Sequence, residues 1–164
     1  MILRALTLAG GLAGAATTAQ FPEYSQQYIQ RLGGAVDALG KVVADFDASA
    51  TASGLSREEA LAQLQGTDFL ERRRADMTRT VTRHTQLNRD LEVLKGQGPF
   101  TRAYNASRFT DPEIAKAAWQ AFQPAIPVNF AGLSFAGVGF FLGLMAFSLL
   151  GGLLCWPFRR KRLA

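Results

Sequence analysis

Cysteine and histidine are almost missing from this chain, with Cys155 and His84 as single occurrences in 164 residues. No intramolecular disulfide is possible, and sites built from several histidines or paired cysteines are excluded. Familiar catalytic signatures are missing too: there is no GxSxG, HExxH, Walker loop or dinucleotide glycine fingerprint. Charge is missing from one long stretch, since between Phe130 and Phe158 the only polar side chains are Ser134 and Ser148. No soluble core helix needs so long a run, which reads instead as a membrane span.

What charge there is sits unevenly. Phe21 to Pro127 holds 13 Lys+Arg and 13 Asp+Glu, so the whole net charge of +5 lies at the ends. Arg4 stands on one side, and Arg159, Arg160, Lys161 and Arg162 on the other. A nucleic-acid surface would carry its basic residues on the folded part, so no nucleic-acid partner is expected. Basic residues flanking apolar runs are the pattern that sets membrane orientation.

Two transmembrane helices are therefore predicted. The second, within 128–158, follows Pro127 with Asn129 as N-cap. From Phe130 to Trp156 it would extend roughly 40 Å, more than the hydrocarbon layer needs. Trp156 and Phe158 then reach the headgroups, and Arg159, Arg160, Lys161 and Arg162 form a basic cytoplasmic tail over 159–164. The first, within 1–21, is short and rich in Ala, Gly and Thr. A signal peptide cleaved after Ala13-Gly14-Ala15 competes with it. Small residues at Gly10 and Gly14, matched by Gly139 and Gly143, favour a retained span, because they let helices approach closely in lipid.

Between the spans, 22–127 reads as an exported helical domain, periplasmic if the cell is Gram-negative. Ile29, Leu32, Val36, Leu39, Val43 and Phe46 alternate spacings of three and four, an a/d seam over a helix at about 22–49. Leu70, Met77, His84 and Leu91 recur every seven residues, with Leu87 and Leu94 between, over a second helix at about 68–95. Asp68 with Glu71 is expected to cap that helix, and Gly96-Gln97-Gly98-Pro99 to end it. Ser56 with Glu59 is a capping box opening a short helix at about 56–65. Asp111-Pro112 opens another at about 112–122, after an irregular aromatic stretch.

The two long helices are expected to form an antiparallel hairpin. The expected register places His84 opposite Gly33 and Gly34, Asp76 opposite Lys41, and Arg72 opposite Asp45. Glycines inside a helix each cost up to about 1 kcal/mol, so Gly33 and Gly34 are read as points of close packing. His84 reads as filler for that gap rather than as a ligand. Trp119 and Phe122 are placed against the hairpin base or the headgroup layer.

The block from Gln20 to Asp37, headed by Phe21-Pro22-Glu23-Tyr24 and containing Leu32-Gly33-Gly34-Ala35, resembles a proteobacterial family of unknown function. Val43-Ala44-Asp45-Phe46-Asp47, the segment Gly54 to Ala60 and Asp111-Pro112-Glu113 are similar to it as well. The resemblance implies a two-span inner-membrane protein and carries no activity or cofactor.

The expectation is thus an all-α membrane protein with two transmembrane helices, an extramembrane helical hairpin and short helices. It would be multi-pass in a bacterial inner membrane, with both termini cytoplasmic and the central domain periplasmic. No enzymatic role, cofactor, metal or catalytic residue is expected. The leading function is an accessory or scaffold protein that docks a protein partner, or forms a homo-oligomer, through small-residue transmembrane faces and the hairpin. The alternative is an envelope factor binding lipid or cell wall through the aromatic segment Phe100 to Phe122. Membrane lipid is a partner in either case.

Overall fold

A computed structural model of the protein describes residues 2–124 and 128–160, with side chains over 4–124 and 128–152. The described residues are all-helical, with no strand among them. The helices are α1 (Ile2–Thr18), α2 (Phe21–Ala52), α3 (Arg57–Gln63), α4 (Asp68–Leu94), α5 (Pro99–Tyr104), α6 (Pro112–Ala121) and α7 (Phe130–Arg160). A 3₁₀ turn at Ala106–Arg108 lies between α5 and α6. The stretch expected to be irregular is therefore mostly helical. Pro99 opens α5, where its missing N–H costs nothing.

Local chemistry explains most boundaries. The Ser56 hydroxyl accepts from the Glu59 backbone N–H, and the Glu59 carboxylate accepts from the Ser56 N–H, closing the expected box at α3. The cap of α4 lies one residue earlier than expected: Thr67, not Asp68, is extended, and its hydroxyl accepts from the Leu70 N–H. Gly54, Gly66 and Gly96 carry positive φ and turn the chain after α2, before α4 and after α4. Asp111 Oδ1 accepts from the N–H groups of Glu113 and Ile114 at 3.0 Å each, capping α6. Asn129 Oδ1 accepts from the Gly132 N–H at 2.8 Å, capping α7.

The chain divides into two compact units. The first comprises 1–26, 99–103 and 122–164, and is built on the antiparallel pair of α1 with α7. Phe21, Phe100 and Phe135 group at one end of that pair: Phe135 stacks on Phe100 with ring centres 5.3 Å apart, and lies 5.3 Å from Phe21.

The second unit comprises 27–98 and 104–121. Here α2 and α4 run antiparallel. Tyr28, early in α2, packs its ring at a tilt against Phe109, whose neighbour Thr110 bonds Asp90 near the end of α4. Ile29, Leu32, Val36 and Val43 of the α2 seam are buried, as are Leu87 and Leu94 of α4. Leu39, Phe46, Leu70, Met77, His84 and Leu91 are half-buried.

The register differs from expectation by one heptad. A Cβ on Gly40 would stand 3.2 Å from His84 Nε2, whereas one on Gly33 or Gly34 would meet nothing within 4 Å. Gly33 and Gly34 are therefore not the close-packing points. Asp76 is not matched to Lys41; it pairs within α4, with Arg79 and, at 3.7 Å, with Arg73. An a/d stripe repeats every seven residues, so a slip of one heptad preserves every apolar match.

Candidate functional site

In α1, Gly10, Gly14 and Thr18 follow one another at intervals of four, and in α7 so do Phe135, Gly139, Gly143 and Phe147. Residues four apart lie on one helix face, so each helix presents a narrow stripe. The stripes meet backbone to backbone. A Cβ on Gly14 would stand 2.2 Å from the Gly139 carbonyl oxygen, and one on Gly143 would stand 2.3 Å from that of Gly10. Gly14, Gly139 and Gly143 thus each present a Cα–H to a facing carbonyl, a contact worth about 0.5–1 kcal/mol, while Gly10 faces the Phe147 ring. Thr18 Oγ1 adds a hydrogen bond to the Phe135 carbonyl at 2.6 Å.

Gly10, Gly14, Gly139 and Gly143 were expected to dock partner chains. The structure sets them against each other within one chain, so that stripe is already occupied. What faces outward is large and apolar: Leu6, Leu8 and Leu12 of α1, and Phe141, Leu142, Met145 and Leu149 of α7, are all more than half exposed.

A second constellation, in the other unit, escaped the sequence reading. Asp90 is fully buried, and its carboxylate accepts from Thr110 Oγ1 at 2.7 Å and from Gln86 Nε2 at 3.1 Å. Arg108 Nη1 stands 3.5 Å from its other oxygen. Close by in sequence, Asp111 Oδ2 receives Arg83 Nε at 3.0 Å, and Arg83 Nη2 donates to Glu113 at 2.7 Å. The hydrogen bond that Arg83 donates to Glu113 and the charge of Asp111 raise the Arg83 pKa further, so this cation is permanent. The fully buried Tyr28 accepts from the Asp111 N–H at 3.3 Å. With Asp90 held by fixed donors and Arg83 locked between two carboxylates, the cluster ties α2, α4 and α6 together. The only sequence signal for it was Asp90 at a position next to the apolar seam.

Among the interface residues read from sequence, Trp119 is 67% exposed. Phe122 is buried, with its ring edge-on to Tyr24 at 6.4 Å, so it packs inside the first unit rather than reaching outward. The side chains of Trp156, Phe158, Arg159 and Arg160, and all of Lys161 and Arg162, lie outside the described residues. No group of three or more metal-ligating side chains occurs among the described residues.

The fold and the site define an all-helical protein with, among the described residues, one helix long and apolar enough to cross a membrane, over Phe130–Gly152. The chain belongs to the family described as protein of unknown function (DUF2937), whose profile matches residues 2–160. Comparison with curated proteins and with solved structures gives no match.

Proposed function

We propose that this protein is a non-enzymatic accessory or scaffold protein of a bacterial inner membrane. In this reading α1 and α7 are two spans closed into a hairpin, with both termini cytoplasmic. The second unit, lying in the periplasm, docks a partner chain or a second copy. The observation that carries the reading is the backbone contact of α1 with α7. Helices so tightly paired share one solvent, and only 6% of the most apolar stretch of α7 is buried, unlike a soluble core helix. At 17 residues α1 covers roughly 26 Å, close to the thickness of the hydrocarbon layer. The outward leucines and phenylalanines of both helices suit lipid. Since the glycine stripes are consumed within the chain, docking falls to the polar unit, where Val42, Phe69 and Tyr104 are exposed apolar side chains.

Reporter fusions at each end and in the α3 connector test the topology. Both ends should report cytoplasm and the connector periplasm. Ends on opposite faces, or recovery without detergent, overturn the two-span reading. Purification in mild detergent with mass spectrometry tests the docking: an oligomer or a stoichiometric partner is expected, and a bare monomer overturns it.

A second reading, binding of lipid or cell-wall polymer through the segment Phe100 to Phe122, is favoured by the exposure of Trp119 and by Tyr104 at 89%. Alanine at both positions should then lower binding to liposomes or to cell-wall polymer, and unchanged binding to both rejects it.

A further inference from the structure

The glycine ladder stops at Gly10. Beyond it the facing residues carry longer side chains, and α1 and α7 form an open cleft of about 340 Å³ lined by Arg4, Thr7, Leu8, Leu144 and Ser148. Arg4 is the one charged side chain in α1, and α7 has none before Arg159. Ser148 lies 18 residues after Phe130, roughly 27 Å along α7. On the two-span reading that depth, with Arg4 directly before the apolar run from Ala5, sets the cleft near the cytoplasmic edge of the hydrocarbon layer.

We infer that this cleft binds the phosphate of an anionic phospholipid in the cytoplasmic leaflet; the inference rests on the two-span reading above. The guanidinium of Arg4 offers a planar fork matched to two phosphate oxygens. Ser148 lines the same cleft and adds a hydroxyl suited to a remaining oxygen. Leu8 and Leu144 supply apolar wall for the first carbons of the acyl chains. A free phosphate would leave those walls uncovered, whereas a lipid covers them. A zwitterionic headgroup brings its own cation to compete with Arg4, so net negative headgroups are preferred. A charge held this close to hydrocarbon is costly unless paired, and the lipid supplies the partner.

The test uses the full chain, purified in detergent, stripped of lipid and titrated by native mass spectrometry with phosphatidylglycerol or phosphatidylcholine. One phosphatidylglycerol should bind per chain with roughly fivefold preference, the size of one basic residue acting on an anionic lipid. Arg4→Gln should remove the preference. Ser148→Leu, which fills the cleft and leaves the charge in place, should weaken binding of both lipids. Millimolar inorganic phosphate should displace neither. Equal binding of the two lipids by the unaltered protein, a preference that survives Arg4→Gln, binding that Ser148→Leu leaves unchanged, or displacement by inorganic phosphate overturns the lipid site. Recovery of the protein without detergent overturns instead the membrane reading on which it rests.

Discussion

His84 lies over Gly40, with its Nε2 3.2 Å from where a Cβ on that glycine would stand. The contact fixes the register of α2 against α4 and gives the three glycines of α2 different roles. Gly33 and Gly34 have nothing within 4 Å of a Cβ, so alanine there gains helix propensity at no steric cost. Each of Gly33→Ala and Gly34→Ala should stabilise by up to about 1 kcal/mol. Gly40→Ala should gain less, because the imidazole must shift by a few tenths of an ångström. Denaturant unfolding of the three variants checks the order, and a Gly40→Ala gain equal to the others would contradict the register.

The same relationship marks what the sequence could carry. Ile29 to Phe46 and Leu70 to Leu94 announce two long helices through their spacing alone. Ser56, Asp111 and Asn129 announce three helix starts, because a cap is a local event between residues at most three apart. Register is different. Moving α4 by seven residues leaves every apolar position facing another, so only a particular contact such as Gly40 with His84 decides it. The polar cluster at Asp90 was hidden for a related reason: its partners Thr110 and Arg108 come from a connector whose path no periodicity describes. Conversely, Gly10, Gly14, Gly139 and Gly143 announced that something packs closely without saying that each pair's partner was the other. For Phe122 the sequence leaves two places open, the hairpin base and the headgroup layer, because an aromatic next to an apolar run fits both; the ring contact with Tyr24 selects the first.

Asp90 should matter to stability through its neutral donors more than through Arg108, whose side chain is 45% exposed and stays solvated without a partner. Asp90→Ala should cost about 1–3 kcal/mol, the usual penalty for breaking a buried hydrogen-bonded group. Asp90→Asn should cost less, since the amide oxygen still accepts from Thr110. A double-mutant cycle of Asp90→Ala with Thr110→Val should show coupling of about 0.5 kcal/mol or more. Strict additivity would mean that the hydroxyl and the carboxylate do not interact.

The connector should respond to acid. Arg57 donates two hydrogen bonds to the Asp47 carboxylate and holds its pKa below the usual range, outweighing the smaller upward push of burial. Because the folded value lies below the unfolded value of about 3.9, the pair stabilises fully above that pH. Its contribution fades as pH falls through the lowered folded value. Glu59 is shifted in the same direction by the Ser56 backbone N–H. Both members of the Asp47–Arg57 pair are about one-third exposed, so Arg57→Gln should cost at most about 1 kcal/mol at neutral pH. It should cost nothing near pH 2, and an NMR titration should return Asp47 to its ordinary pKa. A cost that persists at pH 2 would assign the effect to packing of the Arg57 stem.

The pairing of α1 with α7 should be intolerant of a single methyl group at one glycine and indifferent at its neighbour. In lipid the hydrophobic effect does not hold helices together, so the pair depends on close contact and on polar groups such as Thr18. A Cβ on Gly139 would stand 2.4 Å from the Gly14 carbonyl oxygen and 1.9 Å from Thr18 Oγ1. The threonine hydroxyl can rotate away, but the carbonyl belongs to the backbone of α1, so the helices must part. Parting them loses the Cα–H contacts at Gly14 and Gly143 together with the Thr18 hydrogen bond. Gly139→Ala should therefore cost about 1–3 kcal/mol, and more if the whole ladder opens. Gly137→Ala, two residues away on a face with nothing within 4 Å, should cost nothing. Thermal unfolding of the two variants in the same detergent reads the difference directly. If Gly139→Ala melts with Gly137→Ala, the backbone contact does not hold the pair, and α1 loses its structural reason to share the surroundings of α7.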